Sequence, residues 1–480
     1  MLTRLKIKGF KNLVDVELRF GPLTCIAGPN GVGKSNVFDA IKFLGLLADK
    51  PFVEAAAAVR GGADLRQLFT VGGDGVMQLE CDVLIVPEGQ DDFGQPAAAS
   101  TTFLTYALDL RLESSSGSPR IEVIREELGY VRKGDAKAKL GFAHEAQWRQ
   151  SVVQGGRTVK YISTAEDRVV LHADRMQTPG SQQRGGGKSQ PFAARTLPRT
   201  VLSSAQTADE TRTAVLLRHE MRRWIQLQLE PSALRRPDEF HAPQQLAADG
   251  AHIAATLHRL SSQDVDENTT NAAIANRLAE LVEGVRAVRV DRDTGRRLLQ
   301  FMMTDRRGIE LPAASLSDGT LRFVALAILE ADPTATGVVC LEEPENGIHP
   351  LRIPAMLRLL GDMAVDARHA VDPSNPLRQV IVSTHSPLVV ASSPDADLVF
   401  ATARTHSLER LVDGLEFRGT HGSWRHGASG SWVSPGEIGR YLGATVGTAE
   451  VSARGEVTVA RALEQLLLPL SGSSAAHDSE

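Results

Sequence analysis

The sequence predicts an α/β fold with a β-rich lid and a helical insertion, on three observations. A short apolar run, Leu23 to Ala27, is followed by a glycine-rich turn and then by helical spacing through Val37, Phe38, Ile41, Leu44 and Leu47. From Leu316 onward the pattern runs turn, helix, strand, helix, strand, the alternation that builds a largely parallel sheet. Between these segments lie strand-like alternations at residues 76–86 and 103–112 and a run of helix formers over residues 208–284.

The other elements follow from the same periodicities. Leu2, Leu5 and Ile7, then Val14, Val16, Leu18 and Phe20, alternate with polar residues and predict two opening strands. Helical spacing appears at Val215, Leu216, His219 and Arg223, and again at Ile274, Leu278 and Leu281, but heptads are not sustained, so a long coiled coil is not supported. His219 and Trp224 read as core packing. Residues 285–301 and 308–311 return to strand patterns. The chain divides accordingly into 1–100, 101–205 (β-rich lid), 206–300 (helical insertion), 301–470 and a frayed tail, 471–480. Residues 178–190 lack periodicity and read as a mobile loop.

Composition bounds the function classes. At about 150 residues per domain, 480 residues predict three domain-sized units or one domain with large insertions. Hydrophobic residues make up 42% and charged residues 23%, which excludes disordered and collagen-like chains. Three cysteines exclude a disulfide scaffold, and all read as reduced thiols of a cytoplasmic protein. No run approaches the ~18 apolar residues of a membrane span. Arg4, Lys6 and Lys8 interrupt the first ten residues, so these are read as neither signal peptide nor anchor. A net charge of −5 argues against a globally basic nucleic-acid coat.

Chemistry concentrates in four motifs. Gly28-Pro29-Asn30-Gly31-Val32-Gly33-Lys34-Ser35 is a full GxxxxGKS with a strand before it and a helix after it. Its glycines let successive N–H groups cradle a phosphate at a positive helix end. Asn30, Gly31, Gly33, Lys34, Ser35 and Asn36 are the candidate nucleotide contacts, Lys34 on the β- and γ-phosphates and Ser35 also on Mg²⁺. Val338-Val339-Cys340-Leu341-Glu342-Glu343-Pro344 is an apolar strand ending in two acids, Glu342 for Mg²⁺ and Glu343 to polarise the attacking water. Leu316-Ser317-Asp318-Gly319-Thr320 sets a serine at a helix start and a glycine that admits a phosphate; alone it reads as a helix cap. Ile381-Val382-Ser383-Thr384-His385-Ser386-Pro387 ends a strand on a histidine, which by itself reads as structural. Gly187-Lys188-Ser189 only imitates a phosphate loop, because its first glycine would fall at Gln182 and no strand precedes it.

Together these motifs resemble the ATP-binding-cassette family, specifically its SMC/RecF/OLD-like branch. The phosphate loop looks like its Walker A, LSDGT like its signature, LEEP like its Walker B with the catalytic glutamate, and STHSP like its histidine switch. Ser317 precedes Glu343 by 26 residues and Glu343 precedes His385 by 42. KGFKNL at Lys8 to Leu13, Asp249-Gly250 ahead of a helix and EEPENGIHP at Glu342 to Pro350 resemble the short RecF/OLD-like AAA family ATPases of bacteria. The resemblance covers about 100 residues at the start and the 90 or so from Ala313 to Ala403. It implies a P-loop NTPase with an ABC-ATPase head, ATP and Mg²⁺ as cofactors, and a head-to-tail homodimer or higher homo-oligomer. Ser317 and Gly319 would then cap a nucleotide held by another subunit, and His385 would sense the γ-phosphate. Two departures stand out: Glu342 replaces the usual aspartate, and Asp318 replaces the first signature glycine. Gln67 is the best candidate for the family's metal-contacting glutamine.

Lys34 and Ser317 are 283 residues apart, too far for a transporter cassette. Only 95 residues follow His385, without a cluster of acids, Asp395 and Asp397 reading as loop residues; an appended nuclease domain is not expected. Two readings survive: an ATP-driven switch gating a separately encoded effector, as in bacterial antiphage or toxin–antitoxin modules, or a RecF-like DNA-binding ATPase of repair. Residues 181–236 hold ten basic against four acidic side chains, and residues 276–307 eight arginines against five acids. Such stripes could contact a phosphate backbone or could be solvated helix faces.

Overall fold

The computed structural model describes residues 1–113, 119–157, 159–174, 189–263, 267–408, 411–425 and 432–443. The expected mobile loop at 178–190, its glycine-lysine pair included, lies almost wholly outside the described residues, and the tail at 471–480 lies entirely outside them.

The central sheet has seven strands in the order Ile225–Leu227, Gly337–Glu342, Arg378–Thr384, Leu23–Ala27, Leu398–Ser407, Leu411–Thr420 and Trp432–Val433. The first five are mutually parallel, and Leu411–Thr420 turns back antiparallel on Leu398–Ser407. Burial on both faces explains the continuous apolar runs: Val338 and Cys340 join one core while Val339 and Leu341 join the other. The helix Ser35–Leu47 covers one face and the helices Asp318–Ala331 and Ile353–Met363 cover the opposite face.

An eight-stranded antiparallel sheet lies beyond the Ser35–Leu47 helix. It runs Gln190–Ala193, Arg168–Leu171, Ile162–Ala165, Arg120–Tyr130, Phe103–Glu113, Val76–Leu84, Leu2–Phe10 and Leu13–Arg19. Period-two alternation gives it one wet face, where Lys6 sits opposite Glu17 on one neighbour and Glu80 on the other. Its dry face packs Leu5, Ile7, Met77 and Leu79 onto Val37, Phe38, Ile41 and Leu44 of the helix. The boundary expected at residue 100 therefore falls inside this sheet. Strand partners far apart in sequence, such as Ile7 and Leu79, close it, and local periodicity carries no record of that pairing.

The helical insertion contains the helices Ala208–Arg222, Ile253–Gln263 and Glu267–Leu281, and a small sheet is built from Asp238–Glu239, which precedes the last two helices, and from Val285–Asp293, Leu298–Asp305 and Glu310–Pro312, which follow them. It also donates the edge strand Ile225–Leu227 to the central sheet. Trp224 is buried, but His219 is not core: its Nε2 meets Asp92 at 2.7 Å at the protein surface. Cys25, Cys81 and Cys340 are all free and buried, and burial pushes the Cys25 thiol up to about 12. Among the described residues no helix is long and apolar enough to cross a membrane.

Candidate functional site

The phosphate loop joins the strand Leu23–Ala27 to the helix Ser35–Leu47. Gly31 and Gly33 take φ of +76° and +107°, a region that a Cβ disfavours by roughly 1–2 kcal/mol. A Cβ on Gly33 would also lie 2.2 Å from Asn12 Nδ2, so only glycine fits. Asn12 holds the loop from outside: its Nδ2 donates to Val32 O at 2.9 Å, and its Oδ1 accepts from Asn36 Nδ2 at 2.7 Å. The Asn36 side chain is thus committed to Asn12, whereas Asn30 is exposed. Lys34 folds over the turn and donates to Gly28 O at 2.8 Å and Pro29 O at 2.9 Å. Burial lowers the pKa of its ammonium group, and Glu343, Glu345 and Glu342 pull it back up.

Glu342, the last residue of its strand, faces the start of that helix. Ser35 Oγ donates to Glu342 Oε2 at 2.5 Å. The other oxygen, Oε1, accepts from Gln226 Nε2 at 2.5 Å and from Arg60 Nη2 at 2.9 Å. Arg60 also reaches Ser35 O and Asp39 Oδ1, each at 3.1 Å, and Lys11 Nζ meets Asp39 Oδ2 at 2.6 Å. Gln226 reaches Glu342 because the edge strand Ile225–Leu227 runs parallel beside Gly337–Glu342. Gln67, the expected metal contact, sits instead on the short 3₁₀ turn Leu65–Leu68, exposed, with its side chain over Gly61. Among the described residues no hydrogen bond joins Gln67 to Ser35 or Glu342.

Glu343 leaves the strand with φ +47°, a left-handed conformation rare outside glycine, while its N–H still donates to Ser383 O at 2.8 Å. Its carboxylate is held at both oxygens. His385 Nδ1 meets Oε1 at 2.7 Å, the imidazole N–H donating, and Asn346 Nδ2 donates to Oε2 at 2.7 Å. The two parallel strands Gly337–Glu342 and Arg378–Thr384 bring these groups side by side from 42 residues apart.

Ser317 caps the helix Asp318–Ala331; its Oγ accepts from Thr320 N at 3.2 Å and lies 2.8 Å from Thr320 Oγ1. Asp318 is paired with Arg235. Gly319 packs so closely that a Cβ would lie 3.1 Å from Gly347 O, and Arg322 Nη1 donates to Asn346 O at 2.5 Å. Among the described residues neither Ser317 nor Gly319 shares a hydrogen bond with the phosphate loop of its own chain.

Sequence reasoning missed Asn12, Arg60, Gln226, Arg322 and Asn346 as parts of this site. Gln226 carried a faint signal, being the polar member of an Ile-Gln-Leu strand alternation just after a helix. Arg60, in Val59-Arg60-Gly61, carried none.

Residues 177–391 match the family model described as "AAA domain, putative AbiEii toxin, Type IV TA system", and residues 4–51 match a second "AAA domain" model. The chain is 52% identical over 59 residues to the DNA replication and repair protein RecF of Magnetococcus marinus, covering 12% of this chain and 15% of that one. To RecF of Paenarthrobacter aurescens it is 23% identical over 303 residues, 61% of this chain and 73% of that one. To the OLD nuclease of Thermus scotoductus it is 54% identical over 41 residues, 8% of each. Among solved structures, an SMC head bound to the C-winged helix domain of ScpA aligns at a TM-score of 0.46 and 13% identity, over 86% of this chain and 97% of that one. The phosphate loop and the acid-tipped strand, on one parallel sheet and inside the two matched AAA segments, agree with these relatives. The chain carries AAA domains and resembles the ABC-type AAA ATPases of the SMC/RecF/OLD branch.

Proposed function

We propose that this protein is a Mg²⁺-dependent ATPase that works as a nucleotide switch, assembling as a homodimer or higher homo-oligomer and gating a separately encoded effector. The observation that carries this reading is Glu343, whose carboxylate is fixed by His385 and Asn346 beside the Lys34 phosphate loop. A carboxylate so held, next to a phosphate cradle, is suited to orient and polarise a water for in-line attack. Lys34 would leave the Gly28 and Pro29 carbonyls for phosphate oxygens. His385 would follow the γ-phosphate and report its loss through Glu343.

The Ser35 hydroxyl, the Glu342 carboxylate and the Gln226 carboxamide form a set of hard oxygen-bearing groups, which fits Mg²⁺. These residues would hold Mg²⁺, which when bound would supply neutralisation of phosphate charge. Arg60 occupies the same carboxylate and would give way or turn toward phosphate. Ser317 is engaged with Thr320 and Gly319 with Gly347 of their own chain, and the resemblance to the family favours a signature acting on a neighbouring subunit's nucleotide.

A defence or toxin–antitoxin role is favoured by the description of the family model over residues 177–391. A RecF-like role with direct DNA contact is the second reading, favoured by the RecF relatives. The arginine-rich stripe at 276–307 speaks weakly for DNA, because Arg277 pairs with Glu330 and Asp362, Arg289 with Glu310 and Asp291, and Arg292 stacks on Phe240.

Steady-state ATP hydrolysis with and without linear duplex DNA at low salt tests both. Turnover abolished by Lys34→Ala and by Glu343→Gln supports the ATPase assignment, and turnover unchanged by Glu343→Gln removes Glu343 from its role. Stimulation by DNA moves the reading to the RecF-like alternative.

A further inference from the structure

Thr384 closes the strand Arg378–Thr384 and is fully buried. Its backbone carbonyl accepts the Gly28 N–H at 3.2 Å, tying it to the first glycine of the phosphate loop. Its hydroxyl accepts the Ser386 N–H at 2.9 Å and donates its own proton to Glu345 Oε1. His385 therefore lies between two residues anchored on a single hydroxyl, and Glu345 fixes the direction of that hydroxyl.

Glu345 is itself unusual. It is 7% exposed, and its Oε2 is buried with no hydrogen-bond partner among the described residues. A half-satisfied carboxylate in such a place is unfavourable, and packing alone would be better served by an apolar side chain. The group borders a cavity of about 550 Å³ together with Pro29, Asn346, His385 and Tyr441. Burial pushes its carboxyl upward, opposed first by the Thr384 bond. Its charge is also felt by Lys34 across the site.

We propose that Glu345 is a positioning residue for ATP hydrolysis: acting through the Thr384 hydroxyl, it holds the His385 loop in register with the phosphate loop and with Glu343. The inference rests on the ATPase reading above. It explains why a third acid follows the two strand-end acids at a buried position that, among the described residues, bonds to Thr384 and to neither Ser35 nor Glu343.

The test is a set of full-length variants assayed for kcat, for KM and for binding of a fluorescent ATP analogue. Thr384→Val lowers kcat about tenfold, toward the level of His385→Ala, with KM and nucleotide affinity within about threefold of the parent. Thr384→Ser restores turnover. The double variant Thr384→Val/His385→Ala is no slower than His385→Ala alone, because both changes remove one arrangement. Parent-like turnover of Thr384→Val, or multiplicative loss in the double variant, overturns the inference. If Thr384→Val does not fold by thermal melting, Glu345 decides: Glu345→Gln keeps an acceptor for the hydroxyl and stays within about threefold of the parent, whereas Glu345→Ala loses about tenfold. Equal loss in the two overturns the proposal. A parent as silent as Glu343→Gln sinks the ATPase reading and this inference with it, an outcome distinct from an active parent indifferent to Thr384.

Discussion

Arg322 Nη1 donates to the backbone carbonyl of Asn346 at 2.5 Å, and the side chain of Asn346 in turn donates to Glu343 Oε2 at 2.7 Å. The helix that begins at the signature serine is thereby joined, within one chain, to the carboxylate assigned to water activation. A signature motif engaged by a neighbouring subunit's nucleotide could act through this connection on its own chain's chemistry. Removing the connection should cost turnover and leave binding. Asn346→Ala and Arg322→Ala are each expected to lower kcat about tenfold while ATP affinity, measured by analogue fluorescence, stays within about threefold. Arg322→Lys should recover part of the loss. An equal fall in affinity would make the contact merely structural.

Two glutamines separate the sequence expectation from the geometry. Gln226 touches Glu342, whereas Gln67 lies over Gly61 and, among the described residues, shares no hydrogen bond with Glu342. Groups that orient a metal ligand commonly carry about 10–100-fold in metal affinity. Gln226→Ala should therefore raise the Mg²⁺ concentration needed for half-maximal turnover by about tenfold or more, and Gln67→Ala should leave the Mg²⁺ titration unchanged. The reverse result would return the metal role to Gln67.

Asn12 and Gly33 form the tightest packing in the phosphate loop. Gly33→Ala must place a Cβ at φ +107° and 2.2 Å from Asn12 Nδ2. Thermal unfolding should register a loss of about 1–3 kcal/mol, with nucleotide binding abolished. Asn12→Ala in the same chain relieves the clash but not the backbone conformation, so it should restore at most part of the stability and none of the binding.

How far these features could be read from the sequence depends on how local they are. The phosphate loop and the Glu342-Glu343 strand end are contiguous, and their flanking apolar runs are continuous because the strands are buried on both faces. Their meeting in space followed from one parallel sheet. Gln226, Arg60 and Asn12 reach the site from separate segments through a sheet edge, a loop and a hairpin, and no period records such convergence. The same cause hid the antiparallel sheet, whose strands lie on both sides of residue 100. Asn346 was visible in EEPENGIHP as a letter, but its bond to Glu343 requires the tight turn after φ +47°.

A pH effect on stability arises away from the site. Glu126 is fully buried, accepts from the Val201 and Leu202 N–H groups and from the Tyr106 hydroxyl, and has its carboxyl pushed up by burial to about 7 from 4.5. A folded value above the unfolded one means the protonated form is favoured by folding. The contribution is complete below about pH 4.5 and is lost as pH rises through about 7, on the order of 3 kcal/mol. Denaturant unfolding of Glu126→Gln should lack this decline between pH 5 and 8, and an unchanged decline would assign it to other groups.

The central claim, an ATPase whose sites are completed between subunits, is tested most directly by mixing two inactive chains. Lys34→Ala disables the phosphate loop and Ser317→Arg disables the signature, so each alone should hydrolyse no ATP. If the signature of one chain completes the site of another, mixed assemblies contain one intact pairing, and the equimolar mixture should regain a substantial fraction of parental turnover, about a quarter for random dimers. A mixture as silent as its components, beside an active parent, would contradict the account.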